Sequence, residues 1–144
     1  MPSPSLKEYH RKRDFRRSRE PAGAAPISQT GRLYVMHKHA ARQEHFDLRI
    51  EQDGVLRSWA LPKGPPLETG EKRLAIEVED HPLEYGGFEG TIPKREYGAG
   101  TVMVWDVGRW RLDGRNDDEQ LDFILTGAKL RGAWTLVRLH DRGR

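Results

Sequence analysis

The chain has no cysteine among its 144 residues, so it can form neither disulfides nor metal sites with thiolate ligands. Any metal ion must be held by histidine, aspartate or glutamate. The sequence also has no apolar run near the roughly 18 to 20 residues that a membrane span requires. Its basic N-terminus lacks the apolar segment of a secretory signal. These absences predict a cytoplasmic protein without a membrane partner.

Two further absences narrow the chemistry. No serine lies in a nucleophile pattern such as Gly-x-Ser-x-Gly or Ser-x-x-Lys. The glycine-rich segment 85–90 is not followed by a clear helix, which argues against a phosphate-binding P-loop. The sequence therefore favours direct attack by a metal-activated water over a covalent enzyme intermediate.

The chain is rich in charged residues, which make up 33% of the sequence, whereas hydrophobic residues make up 35%. The mean hydropathy is −0.83. This composition suits strands with one polar face better than a helix bundle with a wide apolar stripe. Many short strand patterns separated by turn residues predict a mainly β protein, a small antiparallel β-barrel with a few short helices.

The basic residues concentrate near the N-terminus, although the net charge is only +3. Residues 7–19 carry a run of lysines and arginines against Glu8 and Asp14 alone. Such a segment suits a phosphate backbone, and a solvated tail is an equal alternative. We expect residues 1–29 to form a basic arm packing on a domain of residues 30–144. A short helix over 6–13, with Ser5 as N-cap, is expected in the arm.

Alternation and turn residues define the expected strands. Their ranges are 34–38, 45–51, 55–61, 72–79, 101–106, a strand beginning at 108–110, and 132–139. Gln52-Asp53-Gly54 is the strongest hairpin signal, between the second and third strands. Residues 113–117 predict a turn, and residues 118–126 fit either a helix or a strand.

The second strand alternates strictly between polar and apolar residues. The polar set is His45, Asp47 and Arg49, and the apolar set is Phe46, Leu48 and Ile50. Alternate residues of a strand project to opposite faces. We therefore expect the polar set to share one face while the apolar set enters a core.

Two histidines and a carboxylate in this region predict a metal site. His39, His45 and Asp47 together would bind Mn²⁺, Zn²⁺ or Co²⁺ and leave coordination positions open. Their spacing is not diagnostic, so structural roles for these residues are an equal alternative. His37 lies close enough to bind the metal in place of His39, or to hydrogen-bond to a ligand residue without binding the metal.

Several cations predict an anionic substrate. Arg49 on the polar face, Arg73 on a neighbouring strand and Lys63 in a proline-rich loop would converge on a phosphate. The alternative is that the two arginines form ion pairs with Glu51 or Glu77.

His81 follows the strand 72–79 and is the best candidate for a general acid, because histidine titrates near about pH 6.5. Tyr85, four residues later, would contact a phosphate oxygen or pack in the core. A structural role at the strand end is the alternative for His81.

Three blocks of the sequence resemble a known family. They read HKHAARQEHFDLRIE, SWALPKGP and KRLAIEVEDHPLEYGGFEGTIPKREYGAGTVMVWD. Together they resemble the 3′-phosphoesterase domain of bacterial DNA ligase D, which also occurs as a free-standing protein. The resemblance implies a metal-dependent enzyme that heals DNA 3′ ends. Such an enzyme removes a 3′-terminal ribonucleoside, then the 3′-phosphate, and leaves a 3′-OH for repair by non-homologous end joining.

The resemblance also implies roles for individual residues. The implied Mn²⁺ ligands, with Co²⁺ or Zn²⁺ as alternatives, are His39, His45 and Asp47. The implied catalytic residues around the phosphate are His81, Arg49, Arg73, Tyr85 and Lys63. The implied substrate-binding residues, which serve the ribonucleoside-removing step, are Arg13, Asp14, Glu20 and Glu79. His37 departs from the family pattern, which usually has glutamine there.

The expected partners are the 3′ ends of DNA or RNA–DNA primer-templates. No polymerase or ligase module accompanies the matching blocks. We therefore expect the chain to work in trans with a separate ligase, polymerase and end-binding protein. We also expect a monomer. Two alternatives stay open: a non-catalytic nucleic-acid-binding β-barrel, and a metal-dependent phosphatase or oxygenase acting on small molecules.

Overall fold

The computed structural model describes residues 6–12, 32–94, 96–97 and 99–139. Within these ranges the chain forms a helix α1 (Lys7–Arg11), a 3₁₀ helix (Leu83–Gly87) and eight strands. The strands are β1 (Leu33–Ala40), β2 (Glu44–Gln52), β3 (Val55–Leu61), β4 (Ile76–His81), β5 (Gly90–Ile92), β6 (Gly100–Asn116), β7 (Gln120–Gly127) and β8 (Arg131–Val137). The expected mainly β fold with few short helices is confirmed. Neither helix is long and apolar enough to cross a membrane.

The strands form one antiparallel sheet in the order β4-β3-β2-β1-β6-β7-β8, with β5 paired to the start of β6. One core cluster takes side chains from both β3 and β8, so the sheet curls until its two halves face each other. In the described part of the chain, β4 and β8 are not paired, and the barrel-like sheet stays open between them.

The first core cluster fills the inside of this curl. Its buried members are Tyr34, Met36, Leu48, Ile50, Trp59, Leu61, Trp110, Leu121, Phe123, Leu125 and Leu130. Phe46 packs against the cluster at its edge, so the apolar set of β2 enters a core as predicted. Full burial of each large side chain contributes about 1.5 to 3 kcal/mol, so this cluster contributes substantially to the stability of the fold.

A second core cluster lies on the opposite face of the sheet. Its buried members are Leu6, Tyr9, Val55, Leu56, Leu83, Tyr85, Phe88, Ile92 and Val102. Leu6 and Tyr9 belong to the N-terminal helix region and are only 2% and 0% exposed. The Lys12 ammonium adds a 3.2 Å ion pair to Glu79 of β4. The described part of the predicted arm therefore packs on the sheet.

The fourth strand begins later than predicted, at Ile76 instead of Lys72. Its first partner is Ala60, and β3 ends one residue further on, before Pro62 turns the chain away. Residues 72–75 therefore have no β3 partner to complete a ladder, and Leu74 is exposed. The expectation that Arg73 lies on a strand is wrong for this reason.

Strand β6 runs without a break through residues expected to form two strands and a turn. Its first half pairs with β1 and its second half with β7, so the chain stays extended through Gly108. A Cβ on Gly108 would collide with the Thr126 carbonyl. The glycine thus permits a close strand contact instead of a turn. The turn predicted at 113–117 lies later, at 117–119, because residues 113–116 still belong to β6. Residues 118–126 resolve as mainly strand β7.

Asp106 of β6 ties the turn between β7 and β8 to the sheet. Its carboxylate accepts hydrogen bonds from the backbone N–H groups of Ala128, Lys129 and Leu130 at 2.9–3.0 Å. The Tyr34 hydroxyl donates a further bond at 3.0 Å. Burial raises the pKa of Asp106, but these donors outweigh burial and the pKa is lowered overall.

Candidate metal centre and phosphate site

The β1–β2 hairpin brings the predicted metal ligands together. Its register places His39 opposite His45 and His37 opposite Asp47. Directly paired residues of antiparallel strands project from the same face. The side chains of His37, His39, His45 and Asp47 therefore share the face of the second core cluster.

The three predicted ligands are close enough for one ion. His45 Nε2 lies 3.3 Å from Asp47 Oδ2, and His39 Nδ1 lies 3.8 Å from the same oxygen. One ligand atom from each residue lies within 4.8 Å of the other two. Within the described ranges this is the set of side chains that could hold a metal ion.

Two observations test whether these residues fit a divalent cation. His39 Nε2 is buried and has no hydrogen-bond partner among the described residues. Such a buried nitrogen is costly unless a ligand satisfies it. His45 Nδ1 faces the Gln43 carbonyl at 3.4 Å, which leaves Nε2 directed at Asp47. Metal-binding histidines commonly donate their other ring N–H to such a carbonyl. The donor set therefore fits.

Asp47 is poised to remain ionised. Burial raises the pKa of its carboxyl group, but contacts with His39 and His45 and the charge of Arg49 outweigh burial. The net effect is a pKa far below the ordinary value. The Asp47 carboxylate in turn raises the pKa of His45. An ionised oxygen beside two imidazoles is the ligand set that borderline divalent metals prefer.

Arg49 of β2 lies beside the ligands and is only 3% exposed. Its Nη2 is 3.5 Å from Asp47 Oδ2 and its Nη1 donates to Ser58 Oγ at 2.8 Å. The guanidinium carbon lies 4.8 Å from the Tyr85 ring centroid, a cation–π contact. The alternative of an Arg49–Glu51 surface ion pair does not hold, because Arg49 is buried against these groups.

His37 does not share the metal set in this structure. Its Nδ1 accepts a 3.0 Å hydrogen bond from Arg49 Nε, and its Nε2 donates to the Phe88 carbonyl at 3.1 Å. Both ring nitrogens are therefore engaged. Burial, followed by the charge of Arg49, lowers the pKa of His37 to about 3, so the ring is neutral.

His81, the predicted acid, stands at the end of β4 and is 3% exposed. Its Nδ1 lies 2.9 Å from the Glu79 carbonyl and 3.4 Å from Ser58 Oγ. Its ring makes edge contacts with Tyr85 at 4.6 Å and with Tyr9 at 4.9 Å. Ser58 thus links Arg49 and His81 in one buried network.

The remaining predicted residues are more dispersed. Lys63 is exposed in the loop after β3, next to Pro62, which lines a shallow cleft with His45. Arg73 pairs with Glu71 at 3.1 Å. Glu79 pairs with Lys12 of the N-terminal segment. The predicted residues Arg13, Asp14 and Glu20, with the Ser5 cap, lie outside the described residues.

Sequence reasoning passed over Ser58 because it precedes Trp59 in a strand that reads as core. Its position was nevertheless predictable from the hairpin. The two-residue turn at Asp53-Gly54 pairs Gln52 with Val55, and the same register places Ser58 opposite Arg49. Tyr9, which touches His81, carried no comparable signal.

Comparison with known proteins assigns the chain to a family. A family model described as the DNA Ligase D 3′-phosphoesterase domain matches residues 37–138. The chain belongs to this family. The match begins at His37, so the metal set, Arg49, Ser58 and His81 all lie within the 3′-phosphoesterase region. The resemblance inferred from the sequence blocks is confirmed.

Relatives of known name share the whole chain or most of it. The multifunctional non-homologous end joining protein LigD of Pseudomonas aeruginosa is 52% identical over 100% of this chain. The proteins of the same name from Mycobacterium bovis and Mycolicibacterium smegmatis are 43% and 41% identical over 92% of it. The chain spans only 18 to 19% of the length of these relatives.

Proposed function

We propose that this chain is a metal-dependent phosphoesterase that heals DNA 3′ ends. It would remove a 3′-terminal ribonucleoside as a phosphodiesterase and then the 3′-phosphate as a phosphomonoesterase, leaving a 3′-OH for non-homologous end joining. The observation that carries this proposal is the set His39, His45 and Asp47, within 4.8 Å of one another, in a 3′-phosphoesterase-domain chain. Arg49 beside that set supplies the cation that a phosphate requires.

The ion we assign to His39, His45 and Asp47 is Mn²⁺, with Co²⁺ or Zn²⁺ as alternatives. Two imidazoles and one carboxylate without thiolates suit all three ions. When bound, such an ion supplies charge neutralisation at a phosphoryl oxygen and activation of a water nucleophile.

Arg49 would bind the scissile phosphate. A guanidinium has five N–H donors, and Nη1 and Nη2 carry two each. Ser58 accepts from Nη1 and Asp47 lies near Nη2, so each nitrogen keeps a donor for a phosphate oxygen. Arg49 would neutralise negative charge as it develops on the phosphoryl oxygens. Lys63 and Arg73 would add to this charge from the loops, Arg73 after leaving Glu71.

His81 would give a proton to the leaving oxygen. In the protonated form of His81, Nδ1 would donate to the Glu79 carbonyl, and the proton on Nε2 would be the one transferred. The buried contacts of its ring with Tyr9 and Tyr85 would hold that orientation. Tyr85, whose ring packs against those of Tyr9 and His81, would contact the phosphate.

The N-terminal segment would recognise the terminal nucleoside. Lys12 and Glu79 form a partly buried pair at the end of β4, near His81 in the chain. We assign Glu79, with Arg13, Asp14 and Glu20, to contacts with the 2′-OH of a terminal ribose, which both donates and accepts hydrogen bonds. The basic segment would also make binding of DNA or RNA–DNA primer-templates salt-dependent. We expect a monomer that cooperates with ligase, polymerase and end-binding proteins.

The test uses a 5′-labelled primer-template whose primer ends in one ribonucleotide. The protein is incubated with it in EDTA and then in Mn²⁺, Co²⁺, Zn²⁺ or Mg²⁺ separately. We expect stepwise shortening to a 3′-phosphate and then a 3′-OH, fastest with Mn²⁺ and absent in EDTA. A control strand carrying only a 3′-phosphate separates the monoesterase step from the diesterase step.

No reaction with any metal, from folded protein that still binds the duplex, would overturn the proposal. That result would favour the non-catalytic nucleic-acid-binding alternative. Hydrolysis of a small phosphate ester at a rate matching that of the DNA 3′-phosphate would instead point to a small-molecule phosphatase.

A further inference from the structure

Three polar side chains contact the Arg49 guanidinium. Its Nε donates to His37, its Nη1 donates to Ser58, and its Nη2 faces Asp47. The guanidinium carbon lies 4.8 Å from the centroid of the Tyr85 ring. The hydrogen bonds at Nε and Nη1 restrict rotation of the group, and the ring packs against it. The guanidinium therefore has one orientation before any ligand arrives.

The contact from His37 depends on one tautomer. Nδ1 must be unprotonated to accept from Arg49 Nε, and Nε2 must carry the proton to donate to the Phe88 carbonyl. The Phe88 carbonyl can only accept, so it selects this tautomer. Because His37 is 0% exposed, water cannot replace either bond. The 3₁₀-helix region that carries Phe88 is in this way connected to the arginine.

Ser58 provides the second support, from β3. Its hydroxyl donates to the Leu56 carbonyl at 3.2 Å, which leaves the oxygen lone pairs for Arg49 Nη1. The same oxygen lies 3.4 Å from His81 Nδ1. A fully satisfied buried network of this kind is rigid, since each group loses a partner if another rotates.

We propose that His37 and Ser58 are positioning residues that orient the Arg49 guanidinium toward the phosphate. Neither residue touches the substrate or the metal; each acts through Arg49. The effect that we expect on catalysis rests on the proposed phosphoesterase function. Preorganised donors stabilise developing charge best because they need no rearrangement during the reaction. Loss of the support should therefore lower kcat more than it raises KM.

The variants follow from the hydrogen bonds. His37→Leu removes both bonds at similar volume. His37→Gln keeps them, because an amide oxygen can accept from Arg49 Nε while the amide N–H donates to Phe88. Ser58→Ala removes the second support without touching His37. Thermal unfolding and Mn²⁺ titration of each variant verify that the fold and the metal set survive.

Two measurements test the proposal on the full chain. With ¹⁵N-labelled protein, the Arg49 Nε–H signal, assigned by its loss in Arg49→Lys, should be protected from solvent exchange in the wild type and in His37→Gln. The protection should be lost in His37→Leu. In the end-trimming assay we expect His37→Leu to lower kcat by about 10- to 100-fold with little change in KM, as is typical when an orienting partner is removed. His37→Gln should restore most of that loss.

The proposal is overturned if His37→Leu keeps both the protected signal and the wild-type kcat, or if His37→Gln fails as severely as His37→Leu. Should His37→Leu not fold, Ser58→Ala decides: faster solvent exchange of the Arg49 Nε–H together with a lowered kcat supports the proposal. An unchanged kcat, or a lowered kcat with an unchanged Arg49 signal, opposes it, because Ser58 also contacts His81. A wild-type protein that trims no 3′ end but shows the protected signal would refute the phosphoesterase function while leaving the arginine support established.

Discussion

Asp47 and Asp106 are two buried carboxylates on the strands that flank β1, 5% and 3% exposed. Both have a lowered pKa, and both therefore remain ionised inside the protein. Their partners differ in kind. Asp106 accepts from three backbone N–H groups and one hydroxyl at 2.9–3.0 Å. Among the described residues, the Asp47 carboxylate faces the side chains of His39, His45 and Arg49, at 3.3–3.8 Å.

This difference separates a carboxylate whose partners are supplied by the fold from the one that we propose as a metal ligand. The backbone donors around Asp106 are fixed by the turn itself and fill its acceptor positions at ordinary hydrogen-bond lengths. The contacts of Asp47 are longer, and a neighbouring ring nitrogen, His39 Nε2, has no partner among the described residues. Burial and a lowered pKa alone would not distinguish the two sites; the nature of the partners does.

The contrast between the two carboxylates is tested first with Asp47→Asn, for which we expect the largest effect. Loss of the anionic ligand should abolish Mn²⁺ binding and lower the rate of 3′-end trimming by at least about 100-fold. Isothermal titration with Mn²⁺ and the labelled primer assay measure the two effects. Asp106→Asn is the matched control, a carboxylate-to-amide change that should leave Mn²⁺ affinity intact. Equal loss of Mn²⁺ binding in both variants would contradict the distinction.

Asp106→Asn should instead lower the free energy of unfolding, by about 2 to 4 kcal/mol. The amide keeps one acceptor oxygen but turns an N–H toward backbone donors, so buried or partly buried N–H groups of residues 128–130 lose their partners. Urea denaturation of the metal-free protein measures the change. A free energy of unfolding equal to that of the wild type would mean that the turn is held by other contacts.

Gly127→Ala tests the packing around Asp106 without changing a charge. A Cβ at this position would collide with the Asp106 carboxylate and with the Tyr34 ring. We expect a loss of about 1 to 3 kcal/mol in the free energy of unfolding, the usual cost of overpacking. Gly87→Ala is the control, because no described heavy atom lies within 4 Å of a Cβ there. Equal stability of the two variants would argue against the tight packing.

The smallest expected effect is in the pH dependence of stability. The pKa of an aspartate in the unfolded chain is about 3.9, and the pKa of Asp106 in the folded protein is lower. Its contribution is therefore complete above the unfolded pKa and is lost as the pH falls through the folded pKa. Below about pH 4 the wild type should lose stability more steeply than Asp106→Asn. Urea midpoints between pH 5 and pH 3.5 measure this, and parallel curves would contradict it.

The strands nearest the site were predictable, and the distant ones were less so. Alternation in β2 and the Asp53-Gly54 turn set β1 to β3 closely, since both signals are local. Gly108 predicted a break between two strands, but it lies inside β6, where it allows β6 and β7 to approach closely. No local sequence pattern reveals such an approach. Likewise, residues 72–75 alternate like a strand but lack a β3 partner.

By itself, the sequence determined the strand alternation, the residue types that can hold a metal and the family resemblance, because these depend on neighbours along the chain. Tertiary structure decided that His37 supports Arg49 instead of joining the metal set, and that Ser58 connects Arg49 with His81. It also decided that Asp106, and not Asp47, accepts hydrogen bonds from a turn 22 to 24 residues away in the sequence. These assignments depend on which hydrogen-bond partners meet when strands far apart in sequence pair, and that pairing belongs to the whole sheet.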